Sequence, residues 1–492
     1  MFLWVLIGAL VALSTDVNAA YRNIITFKEW STLANQGDFQ MFDVNWALAT
    51  HVKYGFANPL ADGTVTLANT TAAIIRRYMS DPPNVSPTDA IARGSFGLAN
   101  SIKRQFRNTK FGLSIGGELN SANFSALANT DAGRQTFATT AVALIQNLGL
   151  DFVDINWAYQ SGGIPTSPND AQNYIKLLQA VRAQLQTLPF SAELTTVVPS
   201  TTTGFSFIED PYTVCDTVDH AHLASYDLGK LRVLDPFENG RRRRLANATT
   251  PPQPYSNYVA HQSNLYIDKN DPNRSKNSID TAVAFYRNGN CNLTKLVVGV
   301  PAYGRTFENT PGLYGNFTPA TQGSFVYRGT GLGQFTYKSL PLNGATEMYD
   351  AAVGATYSYD PNQQLFTSYE GPQSLAAKLA YVQANKLGGT MFWSADGDVV
   401  STQPRSLIAQ AHSTYGTNLA SVPNTVDYPN SAFVNIRAPA TPAPTTASPT
   451  PTTSVCSGHA GGVCVWPLTR QVVLYWNQAQ CLTRTDVFVW CP

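Results

Sequence analysis

Charge is scarce in this chain. Asp, Glu, Lys and Arg make up 13% of its 492 residues, and 33 basic against 32 acidic side chains leave a net charge of +1. So balanced a surface has no long-range field to draw in a polyanion, so nucleic acid and membranes are not expected partners. Long apolar runs are also lacking. FLWVLIGALVAL, near the start, is too short to span a bilayer comfortably. It precedes Val17-Asn18-Ala19, a small-residue cleavage pattern, so Met1–Ala19 reads as a secretory signal peptide despite having no Lys or Arg ahead of the run. No other segment is a transmembrane candidate. Cysteines number only 6: Cys215 and Cys291 in the body, with Cys456, Cys464, Cys481 and Cys491 crowded near the end. There is no C-x-x-C pair and His459 is the only imidazole nearby. Disulfides in an oxidising compartment therefore fit better than a zinc site, with the connectivity open.

What is plentiful is apolar and aromatic. Hydrophobic residues reach 43%, with 23 Tyr, 24 Phe and 8 Trp, enough for a sizeable core and suited to carbohydrate contact as well. Asn-x-Ser/Thr sequons begin at Asn69, Asn84, Asn123, Asn247, Asn273, Asn292 and Asn316, so a secreted glycoprotein is expected, extracellular or in the cell wall.

Short apolar strands alternate with helical stretches, the pattern of a parallel α/β fold. Strands are expected at Ile24–Phe27, His51–Phe56, Lys110–Ile115, Phe152–Ala158, Ala192–Val198, Ala221–Tyr226, Leu296–Pro301 and Gly388–Trp393. Helices are expected at Asp170–Leu188 and Pro372–Asn385, where apolar residues recur at helical spacing. Eight βα units over residues 20–413 predict a (β/α)8 TIM barrel, whose functional groups ride the C-terminal ends of the strands. Residues from about 308 to 366 are rich in Gly, Tyr and Thr and read as a small inserted α+β domain. Residues 414–437 form an extension, and 438–454 a Pro/Thr-rich, semi-rigid linker. Residues 455–492 make a Cys- and Trp-rich module, either a carbohydrate-binding unit or a stapled domain whose aromatics form its own core. Arg241-Arg242-Arg243-Arg244 reads as a solvated loop, with a processing site or anion patch as alternatives.

The chemistry centres on Leu150-Asp151-Phe152-Val153-Asp154-Ile155-Asn156-Trp157-Ala158-Tyr159. Strand residues two apart face the same way, so Asp154, Asn156 and Ala158 share one side. At the end of a barrel strand that side opens on the site. An acid, an amide and a methyl group make a polar floor with no proton donor at its outermost position. The same residues also fit a buried Asp–Asn hydrogen-bond pair inside the barrel.

The segment resembles the D-x-x-D-x-D-x-E signature of chitinases of glycoside hydrolase family 18, with Asn156 at the third acid and Ala158 at the fourth. Other segments resemble the family in the same order. Ser114-Ile115-Gly116-Gly117 is similar to its S-x-G-G strand, and the run from His51 to Phe56 to its second strand. Ala224-Ser225-Tyr226-Asp227 is similar to M-x-Y-D, Pro301-Ala302-Tyr303-Gly304-Arg305 to P-x-Y-G-R, and Gly388–Trp393 to the last strand. Departures are Thr26 for a pocket Tyr, Glu118 for a Trp and Ala224 for a Met.

The resemblance implies chitin or chitooligosaccharides as partner, no cofactor, no metal and a substrate-assisted mechanism that departs from the two-carboxylate scheme. In the family the Glu at the Ala158 position protonates the glycosidic oxygen. The Asp at the Asn156 position steadies the attacking acetamido group. No catalytic residue then remains. It also implies sugar contacts from Trp30, Phe56, Asp154, Asn156, Tyr226, Asp227, Tyr303, Arg305 and Trp393. Three functions follow: a chitin-binding lectin without hydrolysis, a weak or altered chitinase, or a scaffold with a vestigial cleft. A monomer is expected.

Overall fold

The computed structural model describes residues 20–78, 81, 90–158, 167–229, 258–272, 275–323 and 332–437, with short stretches at 462–466, 471–473, 478 and 489–491. The signal segment, Arg241–Arg244, the Pro/Thr linker and most of the Cys-rich module lie outside the described residues, as do the sequons at Asn84, Asn247 and Asn273.

Eight parallel strands close into a barrel: β1 (Arg22–Lys28), β2 (His51–Pro59), β3 (Lys110–Gly116), β4 (Phe152–Asn156), β5 (Glu193–Val198), β6 (His220–Leu223), β7 (Leu296–Pro301) and β8 (Gly389–Trp393). Each pairs with its sequence neighbour, and β1 pairs with both β2 and β8, which closes the ring. The strands are rich in Val, Ile and Thr, whose branched side chains pack well on a pleated surface. Outward-facing Leu113, Val153, Ile155 and Leu194 are fully buried under the surrounding helices.

Helix boundaries follow local chemistry. Asp131–Leu148 starts at Thr130, whose hydroxyl accepts from the Gly133 amide, and ends at Gly149. The expected helices are present as Asp170–Leu185 and Pro372–Ala384. Cys215 and Cys291 form a disulfide across 76 residues, a loop closure worth about 4 kcal/mol.

Between β7 and β8, the described residues form a six-stranded antiparallel sheet running from Tyr303–Glu308 to Leu365–Tyr369. Three short strands, Val463–Trp466, Gln471–Val473 and Val489–Cys491, pair antiparallel near the chain end, where Cys491 is disulfide-bonded.

The barrel interior is divided. Ile24, Val297 and Met391 form one apolar side. Facing them is a buried polar column of Lys53, Ser114, Asp154, Thr195 and His222.

Candidate functional site

The C-terminal ends of the strands gather almost every residue that the sequence singled out. β2 bulges between Gly55 and Ala57, which turns Phe56 toward the mouth. There Phe56 stacks on Trp393, ring centroids 5.5 Å apart at 21°. Trp30, just beyond β1, lies 6.2 Å from Phe56 and 6.3 Å from Trp393. The peptides Gly55–Phe56 and Trp393–Ser394 are both cis. Lys28 joins Asp396 at 2.9 Å, tying the segment after β1 to that after β8. Phe56 is buried, while Trp30 and Trp393 stay half-buried with surface to offer.

The glycine pair after β3 makes room for this trio. Gly117 has φ +77, and a Cβ there would meet the Phe56 ring at 2.6 Å. Gly116 has φ +107, and its Cβ would meet the Asn156 carbonyl at 2.4 Å. Only glycine fits both positions.

The opposite wall is polar. Arg305 clamps Asp227 with two hydrogen bonds of 2.7 and 2.6 Å. Burial lowers the Arg305 pKa, but Asp227 more than offsets it and the guanidinium is held above its ordinary range. With the Gln334 amide turned to suit its neighbours, its oxygen accepts from Arg305 at 2.8 Å. The Arg305 guanidinium also lies 5.4 Å from the Tyr303 ring, and Tyr303 meets Tyr226 edge-on at 6.4 Å. Burial first, and Asp227 second, push both phenols up, so Tyr226 and Tyr303 are neutral donors at physiological pH.

The floor between these walls is the end of β4. Asn156 and Ala158 are half-buried, and the Ala158 amide donates to Ser121 Oγ at 3.0 Å. Trp157 faces the other way, buried and stacked on Phe124 at 5.1 Å. The strand ends at Asn156, two residues sooner than expected, because that Ser121 hydroxyl takes up the next amide on the Asn156 side.

Asp154 lies one layer deeper, with no exposed surface. Ser114 donates to one oxygen at 2.6 Å and Thr195 to the other at 2.7 Å, both from in-register positions on neighbouring strands. Lys53 Nζ stands 3.1 Å away and His222 Nδ1 3.3 Å. Burial would raise the carboxyl, but Lys53, His222 and Ser114 outweigh it and hold Asp154 far below the usual range. The group is a fixed anion beneath the floor, out of reach of a molecule in the mouth.

Of the residues singled out in the sequence, Trp30, Phe56 and Trp393 therefore meet on one wall and Tyr226, Asp227, Tyr303 and Arg305 on the other. Asn156 lies between them and Asp154 below. Glu118 is exposed, and its charge reaches Tyr226 and Arg305. Thr26 is buried against Met391. Sequence reasoning missed Lys53 and His222. The signals were a lone Lys in the apolar run of β2 and the alternation His220-x-His222 in β6.

Comparison with known proteins places this geometry. Residues 22–398 match the family described as Glycosyl hydrolases family 18. A Chitinase 1 of Aphanocladium album is 33% identical over 438 residues, spanning 87% of this chain and 95% of its own. An Endochitinase 1 of Metarhizium robertsii is 32% identical over 420 residues, spanning 85% and 90%. Among solved structures, chitinase ChiA74 from Bacillus thuringiensis superposes with a TM-score of 0.68 at 23% identity, covering 80% of this chain and 69% of that one.

Proposed function

The chain belongs to the glycosyl hydrolases of family 18, and from that premise we propose that it is a secreted lectin that binds chitin or chitooligosaccharides without hydrolysing them. The names of the two curated relatives support the sugar class. Secretion rests on the apolar segment at residues 1–19.

What supports the reading is Ala158, a methyl group two residues past β4 at the position that resembles the Glu of the family signature. Loss of a positioned general acid costs roughly 10²- to 10⁴-fold in rate. Asn156 hydrogen-bonds but bears no charge, so stabilisation of a developing cation is lost as well. Neighbouring acids do not replace them. Asp154 is sealed below the floor, and Asp227 is held by Arg305 on the far wall. Glu118 is exposed beyond β3.

Binding needs less. Sugar faces pack their C–H groups on aromatic rings, while their hydroxyl and acetamido groups need polar partners. Trp30 and Trp393 supply the first, and Asn156, Tyr226, Tyr303 and Arg305 the second. Mass spectrometry of chitohexaose incubated with the protein tests the reading. The hexamer is expected to persist intact. Shorter oligomers would make the protein a weak chitinase instead.

A further inference from the structure

The far end of the barrel, away from the sugar-facing mouth, holds a cluster that the proposed function does not use. His51, Glu193 and His220 begin β2, β5 and β6, so their side chains converge on the N-terminal floor. His51 Nε2 lies 3.0 Å from Glu193 Oε2, and His220 Nε2 lies 3.5 Å from the same oxygen. All three atoms fall within 4.8 Å of one another. Bonds of about 2.0–2.2 Å at a tetrahedral angle hold ligand atoms roughly 3.3 Å apart, a spacing that 3.0 and 3.5 Å bracket.

Each imidazole of the cluster is held from behind by a second polar partner. His51 Nδ1 lies 2.9 Å from Thr50 Oγ1. That hydroxyl also accepts from the Asn23 amide at 3.0 Å and lies 3.3 Å from the Asn23 carbonyl. His51 Nε2, across the ring, faces the Glu193 carboxylate. On the other side His222 Nδ1 lies 3.3 Å from Asp154 Oδ1. His222 Nε2 lies 2.8 Å from His220 Nδ1, and the Lys53 ammonium approaches His222 Nδ1 at 3.1 Å. His220 Nε2 is buried and makes no hydrogen bond. Partners behind the ring, here Thr50 at His51 and His222 at His220, are what orient imidazoles that ligate metals.

Charge and access agree. Lys110 pairs with Glu193 Oε1 and leaves Oε2 to the cluster. The Glu193 side chain is 20% exposed, which opens the floor to solvent.

We propose that His51, Glu193 and His220 form a binding site for one divalent first-row metal ion of the zinc type. Two imidazoles and one carboxylate suit such an ion, whereas Mg2+ and Ca2+ call for oxygen ligands. The site ties three barrel strands together at the floor. Through His220 and His222 it also connects to Asp154 under the mouth.

Calorimetric titration of the chelator-stripped full chain with ZnCl2 tests the assignment, alongside visible absorption with Co2+. One equivalent of Zn2+ is expected to bind, and Co2+ should give the intense bands of a four-coordinate site. His220→Gln should abolish the binding. His222→Gln, which disturbs only the second layer, should weaken it about 10- to 100-fold. Circular dichroism selects the folded variants, and the Co2+ spectrum of the unaltered protein needs none. Absence of binding, the faint spectrum of six-coordinate Co2+, or full affinity in folded His220→Gln would overturn the proposal.

Discussion

Lys53 is the residue that most distinguishes the inside of this barrel. It lies fully buried in β2 with its ammonium 3.1 Å from Asp154, itself without exposed surface. Taking two charges out of water is tolerable only as a matched pair with the remaining bonds satisfied, and Ser114, Thr195 and His222 complete that set. Lys53→Met leaves the carboxylate uncompensated and should cost about 3–5 kcal/mol in urea unfolding. Pairing it with Asp154→Asn should recover much of that loss, since the two charges act as one unit. Equal losses that simply add would show that the pair is not coupled. Asn156 follows Asp154 two residues along β4, where an amide adds no second negative charge to that face of the strand.

At the scale of elements, the eight strands were legible because most are short apolar runs rich in β-branched residues. Their ends were less so. β6 covers His220–Leu223 and stops short of Tyr226, because past Ala224 the Ser225 hydroxyl bonds the Gly299 carbonyl of β7. The aromatic wall was legible through motif positions, and its two tryptophans do meet across Phe56. The polar column was not, because its bonded partners lie from 40 to 169 positions apart with no local periodicity to announce them. Asp151 is a second such case. Written in the signature as a leading acid, it lies at the opposite end of β4 from the mouth and fastens the extension. It accepts from Lys103 and the Phe111 amide at 2.8 Å, from the Thr425 amide at 2.7 Å and from the Tyr428 hydroxyl at 3.3 Å. Asn424 adds bonds to the carbonyls of Lys103, Phe106 and Thr109. Asp151→Ala should therefore destabilise the protein by roughly 3 kcal/mol, since it strands a buried Lys. It should also expose residues 419–437 to limited proteolysis first. Early cleavage elsewhere would contradict the anchoring role.

For the whole molecule, three imidazoles inside one barrel set its response to acid. Burial, the largest influence on each, lowers His51, His220 and His222, with His222 brought down to about 4. Below about pH 6.5 the unfolded chain takes up protons that these buried rings refuse, so unfolding is favoured as pH falls. The His222 contribution is complete above that pH and is lost on the way to about 4. Asp398, which burial pushes up to about 6, works in the opposite direction and offsets part of the fall. Comparison with His222→Gln isolates the effect: the variant should lose less stability between pH 6.5 and 4, by roughly 3 kcal/mol at full effect. Parallel stability curves would contradict it. The mouth at the other end of the barrel carries the central claim, binding without cleavage, and isothermal titration of the full chain with chitohexaose tests it most directly. A saturable heat that returns to baseline and stays there is predicted, with Trp393→Ala weakening the affinity at least about tenfold, or ~1.4 kcal/mol. Heat that continues long after the last injection would mean turnover, a flat trace would mean an empty cleft, and either would contradict the account.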